Sequence, residues 1–421
     1  MVSTSSTGRD GSTGRDGSTG RDGSTGRDGS TGRGFSLAPH GRIEFGPGAI
    51  EGIGAVVSGL GRSRAFVVTD RGMPATGIVD RVETLLRQAG ITCAVFAGVE
   101  PNPSTETLDL AAEQARAFGD AVVVAVGGGS ALDAAKGIAL LAANTGSAGS
   151  LHHSISPRQP GLPVVAVPTT AGTGAETNGF GVIADHAAGC KVYIGDSSVQ
   201  PLVSVLDPEL TLGLPAAVTA STGMDALTHG IESLASLRST AMSAAYATAA
   251  VTLVSQHLAR AVVDGSDLEA RSALLMGAHL AGLALSISGL GLVHGIAHSV
   301  TSHTGAAHGL ALTAVLDEVM TRSLDVAGPA YRRVAGAMGL DTTDPDAPEA
   351  AIRAVRELAD AVEARHTLTR LGVRTHQVHS IAAGALSDAV SANHPRRFGP
   401  AEVEDLLTLN LGAGRPTVRT G

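Results

Sequence analysis

The sequence predicts an α/β domain on a parallel sheet followed by an all-helical domain, and three features carry that prediction. From Phe35 to about Leu206, short β-rich runs alternate with helix-length stretches, the pattern of βαβ units covered on both faces. After "VLDPEL" (205–210) the β signal stops, and the remainder is Ala/Leu-rich with helical periodicity and few breakers. Two of the β-rich runs end in glycine- or threonine-rich loops, at the sheet edge where open α/β folds bind ligands. The expected organisation is a tail over 1–34, an α/β domain over 35–206 and a helical domain over 207–421.

Within the tail, residues 8–31 are four copies of "GRDGST", each with one Arg and one Asp, so the tract is neutral and polar. A repeat without an apolar position cannot stack a core, and a disordered segment without assigned role is expected. The β-rich runs follow as "AFVVTD" (65–70), "TCAVFAGV" (92–99), "AVVVAVGGGS" (121–130) and "LPVVAVPTT" (162–170). In the helical half the most apolar long run is "AGLALSISGLGLV" (281–293), which is short for a membrane span and ends at His294. No membrane partner is expected.

The chain has 421 residues, 43% hydrophobic and 16% charged, enough to bury a large core. Aromatic residues make up only 2%, with no Trp, so Ala, Val, Leu and Ile must fill that core. A formal net charge of −9 without a basic stripe argues against a nucleic-acid partner. Cys93 and Cys190 are too few for a disulfide framework. No basic segment leads into an apolar run at the start, so a cytoplasmic location is the expectation.

"VVVAVGGGSALDAAKGIAL" (122–140) passes from a strand through Gly127, Gly128, Gly129 and Ser130 into a helix. Bare glycine backbone and a helix N-terminus together suit a pyrophosphate, although the G-x-G-x-x-G fingerprint is missing. "PTTAGTGAET" (168–177) adds the hydroxyls of Thr169, Thr170 and Thr173. Either loop alone also reads as a tight turn. Asp70, closing "AFVVTD", fits either an adenosine ribose or a plain turn.

"GMDALTHGIE" (223–232) places Asp225 and His229 one helical turn apart on a shared face. "GLGLVHGIAHSVTSHTGAAHGLAL" (289–312) adds His294, His298, His303 and His308 among small and apolar residues. His294 and His298 share a helix face, and His308 follows a turn around Gly305. Asp225, His229 and two or three of these histidines would make a mixed N/O shell for Fe²⁺ or Zn²⁺. The absence of H-E-x-x-H argues against a zinc protease.

These motifs, with "VLDPELTLGLP" (205–215) and "NHPRRFGPAEVEDLL" (393–407), resemble the iron-dependent (group III) alcohol dehydrogenases, relatives of glycerol dehydrogenase and dehydroquinate synthase. The resemblance runs from about residue 36 to 411. It implies a Rossmann-like nucleotide-binding domain and a helical metal-binding domain. It puts metal ligands at Asp225, His229, His294 and His308, the first and third of which also count as catalytic. Cofactor contacts fall on Asp70, Gly127, Gly128, Gly129, Ser130, Asp133, Thr169, Thr170, Thr173 and Lys191. His298 matches a family histidine given a proton-relay role, with orientation of the metal shell as the competing reading. His303 matches no characteristic position and reads as a loop histidine.

The implied reaction interconverts a primary alcohol and its aldehyde. The oxygen is held at the metal and hydride is exchanged with NAD(H), NADP(H) being open. One divalent metal is implied, Fe²⁺ ahead of Zn²⁺, in a homodimer or larger homo-oligomer. A generalist for simple alcohols leads. Phe180, Leu285 and Val390 suggest an apolar substrate wall, and Arg396 and Arg397 beside "NHP" leave open a phosphonate- or carboxylate-bearing aldehyde. A dehydroquinate synthase-like lyase is the more distant alternative.

Overall fold

The computed structural model describes residues 41–151, 157–187 and 190–412. The GRDGST tract lies outside them. Among the described residues the strands are β1 (Arg42–Phe45), β2 (Arg64–Asp70), β3 (Thr92–Val99), β4 (Val122–Gly127), β5 (Val164–Pro168), β6 (Phe180–Asp185), β7 (Cys190–Gly195) and β8 (Val203–Leu206). Six form one parallel sheet in the order β1-β8-β5-β4-β2-β3, while β6 and β7 form an antiparallel hairpin.

β4 and β5 are buried along their whole length, which explains their unbroken apolar sequence. Helices α1 (Ile53–Gly59), α2 (Ile78–Gln88), α3 (Thr105–Phe118) and α4 (Gly129–Ala143) supply the covering layers. Alternate strand residues serve the two faces: Phe66, Val123 and Ala166 pack with Leu108 and Ile138, whereas Val67, Val124 and Val165 pack with Ile53 and Val82. The four expected runs therefore appear as β2 to β5. β1 and β8 are four residues each, too short to announce themselves, and β8 owes its place between β1 and β5 to pairing. The β6–β7 hairpin is a further addition that the alternating pattern does not show.

The second half contains α5 (Ala216–Ala235), α6 (Ala241–Val263), α7 (Leu268–Ser288), α8 (Leu292–Thr304), α9 (His308–Thr313), α10 (Leu316–Arg322), α11 (Leu324–Ala337), α12 (Ala347–Ala361), α13 (Val378–Ser387) and α14 (Pro400–Leu411). α5, α6 and α7 pack closely on one another. Gly223 and Gly230 make that approach possible, since a Cβ there would come within 2.2 Å of Leu258 and 2.8 Å of Val251. The apolar run 281–293 is not one segment: Gly289, at φ +67°, ends α7 before α8 begins. By length and composition α7 could cross a membrane, but 67% of its most apolar window is buried inside the fold.

Candidate active site

The glycine loop sits where β4 hands over to α4. Gly127 has φ +146°, and a Cβ there would lie 2.8 Å from the Ala131 Cβ and 3.1 Å from Asp70 Oδ2. Asp70 thus closes β2 against this turn. Its Oδ1 accepts from the N–H groups of Gly72 (2.8 Å) and Met73 (3.1 Å), so the turn role is real and Oδ2 faces the loop. Gly128 and Gly129 sit against Thr170 and Thr173, whose side chains a Cβ would approach within 3.3 and 2.6 Å. Thr169 is different. It is buried, its N–H donates to the Gly127 carbonyl (2.9 Å), and its hydroxyl lies 3.7 Å from Met73 Sδ, so it braces the turn from inside.

Asp133 also has structural duties. Its Oδ2 accepts from Val182 N–H (3.0 Å), and Oδ1 lies 3.0 Å from the buried Lys136 ammonium. Lys191 reaches in from β7, with Nζ 3.4 Å from Asn102 Oδ1. Burial holds its pKa below the ordinary lysine range, with Asp133 and Asp388 opposing.

Across from these loops, α5, α8 and α9 bring a carboxylate and three imidazoles together. His229 Nε2 lies 3.2 Å from Asp225 Oδ1, His294 Nε2 3.5 Å and His308 Nε2 3.9 Å. Asp225 and His229 share a face of α5. His308 arrives because Gly305, at φ +70°, ends α8 and α9 then turns back onto α5. That contact has no spare room: a Cβ on Gly309 would meet the Ser221 carbonyl oxygen at 2.0 Å. Gly309→Ala is therefore expected to cost about 1–3 kcal/mol of stability, read as a lower melting temperature of the metal-free protein. An unchanged melt would show that α9 can shift freely.

Among the described residues, Asp225 Oδ1 and His294 Nε2 are buried without a hydrogen-bond partner. Orphaned buried groups of this kind are rare unless something else meets them. A cation would meet both. One carboxylate oxygen and three imidazole nitrogens form a donor set that suits Fe²⁺ or Zn²⁺. Burial works against the Asp225 charge, but His229, His294 and His308 outweigh it and hold its carboxyl well below the usual range. Burial brings His229 down to about 4. For His294 burial is outweighed by Glu232 and Asp225, which raise it to about 9.

Glu232 is a participant that the sequence reading passed over. Its Oε2 lies 2.6 Å from His294 Nδ1 and accepts from Gly291 N–H (3.0 Å), while Oε1 accepts from Val293 N–H (2.8 Å). The carboxylate thereby sits at the N-terminus of α8, where the helix dipole favours it. It keeps the His294 proton on Nδ1 and leaves Nε2 free to ligate. The available signal was spacing, because Glu232 follows Asp225 by seven residues and shares its helix face. Asp388 was likewise unread. Its Oδ2 lies 2.7 Å from His298 Nδ1, and the His298 ring stacks on His308 with centroids 5.3 Å apart.

One cavity of about 550 Å³ joins the two halves, running from Gly129 and Thr173 to His294 and His308, with His298 on its lining. Phe180, Leu285 and Val390 do line it. The cationic wall expected from Arg396 and Arg397 is elsewhere. Arg396 pairs with Glu402 (2.7 Å), stacks on Phe398 at 4.5 Å, and borders a separate hollow of about 250 Å³ together with Arg397. The arginine on the main cavity is Arg238. His303 points away as well, with Nδ1 2.8 Å from Ser299 O and Nε2 3.1 Å from Ser380 Oγ.

A parallel α/β sheet facing a buried Asp/His cluster on a helical domain is the architecture of a metal-dependent enzyme with a nucleotide-type half. The sequence profile of the iron-containing alcohol dehydrogenases matches residues 39–208, and that of the family's C-terminal part matches residues 219–411. The chain belongs to the iron-containing alcohol dehydrogenase family. It is 32% identical over 367 residues to the NAD-dependent methanol dehydrogenase of Bacillus methanolicus, covering 86% of this chain and 96% of that one. With the 1,3-propanediol dehydrogenase of Citrobacter freundii the identity is 36% over 368 residues, covering 86% and 95%. The solved structure of a 1,3-propanediol oxidoreductase superposes with a TM-score of 0.85 at 35% identity, covering 90% of this chain and 100% of that one. These similarities do not favour the dehydroquinate synthase-like alternative.

Proposed function

We propose that the protein is an iron-dependent, NAD(H)-linked alcohol dehydrogenase that interconverts short primary alcohols and their aldehydes. The carrying observation is that one cavity connects the glycine loop of the sheet to the Asp225–His294 cluster, whose buried oxygen and nitrogen lack protein partners. Asp225, His229, His294 and His308 would hold the ion. When bound, the ion supplies Lewis acidity toward the substrate oxygen, and the nicotinamide supplies the hydride chemistry. Relatives named for methanol and 1,3-propanediol support short alcohols as substrates.

The protein's own contribution is orientation and proton handling. Gly127 to Ser130, Thr170 and Thr173 present backbone N–H groups, the α4 N-terminus and hydroxyls to the pyrophosphate. Thr169 supports that surface from behind, and Asp133 and Lys191 line the same space. His298, aligned by Asp388, takes the proton of the alcohol and passes it toward solvent. Phe180, Leu285 and Val390 keep water away from the reacting carbon. The test is metal analysis of protein purified without oxygen, followed by NADH oxidation with short aldehydes after loading with Fe²⁺ or Zn²⁺. No turnover with either metal would end this reading.

Asp70 leads to an expectation about cofactor choice. Its Oδ2 faces the loop and would repel a 2′-phosphate, so NADH should be preferred over NADPH. Asp70→Asn keeps an acceptor for the turn and removes the charge, and should narrow the ratio of kcat/KM values about tenfold. A wild-type enzyme preferring NADPH would remove the argument.

We place the enzyme in the cytoplasm, where the free thiol of Cys93 and a ferrous site suit reducing conditions. A homodimer or larger assembly is supported by the exposed Ile43 and Phe45 on β1, the outermost strand of the sheet.

A further inference from the structure

The segment from Thr173 to Asn178 is held between the two domains. On the sheet side, the buried Lys136 ammonium donates to Ala175 O (2.9 Å) and Asn178 Oδ1 (3.0 Å). On the helical side, α7 comes so near that a Cβ on Gly174 would lie 2.5 Å from Gly282 Cα, and Thr177 Oγ1 is 3.3 Å from Ser286 Oγ. Within this seam, His279 Nδ1 lies 3.0 Å from Glu176 Oε1. Both side chains are buried, at 3% and 4% exposure. Neither belongs to the metal cluster, and neither is on the cavity lining.

Burying an imidazole and a carboxylate is expensive, and two well-packed apolar side chains would close the seam at least as stably. The cost is evident here, since His279 Nε2 has no partner among the described residues. What apolar packing cannot supply is direction. A buried hydrogen bond accepts one register of loop against helix, and a slip leaves both groups orphaned. The elements so registered both contribute to the cavity lining: Thr173 stands three residues before Glu176, and Leu285 and Ser286 lie on α7 beyond His279.

We infer that His279 and Glu176 are positioning residues whose buried hydrogen bond holds the Thr173 loop against α7. It keeps the cofactor's phosphate contacts in register with the metal-side wall. The inference rests on the reading of that loop as the phosphate site.

The test uses the full-length, iron-loaded protein, titrated with NADH by fluorescence and assayed for kcat and KM. His279→Leu should raise the NADH Kd and KM about tenfold, with metal content unchanged and kcat at saturating NADH far less affected. His279→Asn, whose amide can donate from near the position of Nδ1, should restore most of the affinity. A purely structural pair would lower the melting temperature and leave Kd where it was, so wild-type Kd in folded His279→Leu overturns the inference. If His279→Leu does not fold, Glu176→Leu/His279→Leu leaves no orphaned charge, and it must still bind NADH more weakly. Thr173→Asp serves as the control, because it sets a negative charge against the pyrophosphate. Unchanged NADH affinity in Thr173→Asp removes the reading of the loop itself. Weakened binding in Thr173→Asp with wild-type binding in the His279 variants removes this inference alone.

Discussion

His294→Ala is expected to strip most of the bound iron and to lower turnover by roughly a thousandfold or more, while NADH binding survives. The imidazole offers Nε2 beside Asp225 Oδ1, 3.5 Å away, with nothing else to bind it among the described residues. Removing it deletes one of four converging donors and also takes from the Glu232 carboxylate one of its three hydrogen-bond partners. His308→Ala should act in the same direction. It begins α9 and is the most open of the cluster, with a side chain 31% exposed, so its loss should be gentler on folding. Metal content, kcat and NADH affinity measured on each variant separate the outcomes. Wild-type metal content and rate in His308→Ala would overturn the ligand assignment. Loss of NADH binding together with metal would mean that the two domains do not act as separable sites.

Glu232→Ala should lower metal affinity by about ten- to a hundredfold and destabilise the protein by roughly 3–5 kcal/mol. The two effects have one cause. Glu232 accepts three N–H groups, from His294, Gly291 and Val293, in a fully enclosed place. Without it the α8 N-terminus loses its cap, and nothing keeps the His294 proton on Nδ1. Glu232→Gln is the sharper probe, because it is nearly isosteric. Both oxygens of Glu232 accept, so an amide must aim its NH₂ at a donor whichever way it is placed. Competition with a chelator reads the affinity, and thermal melting of the metal-free protein reads the stability. A Glu232→Gln enzyme with wild-type metal affinity would show that His294 needs no orienting partner.

Sequence alone determined the fold class and the short-range geometry of the candidate site. Strands buried on both faces leave unbroken apolar runs, so β2, β4 and β5 were legible from Val-rich segments. The half-buried edge strand β3 was legible from its β-branched and aromatic residues. A helix turn sets side chains four apart on one face, so Asp225 and His229 had to be neighbours once α5 formed. A triple glycine before a helix had to leave bare backbone at its N-terminus. Each of these follows from residues within one element.

Tertiary structure decided everything that joins elements far apart in the chain. It paired the four-residue β1 and β8, which carry too few residues for a periodic signal. It set Glu232 behind His294 and Asp388 behind His298, turned the Thr169 hydroxyl inward, and tied Arg396 to Glu402 away from the cavity. The physical reason is that hydrogen-bonding side chains have several partners within reach of their chemistry. The choice among them is made by backbone approach, as where Gly309 lets α9 touch Ser221 and so delivers His308 to Asp225.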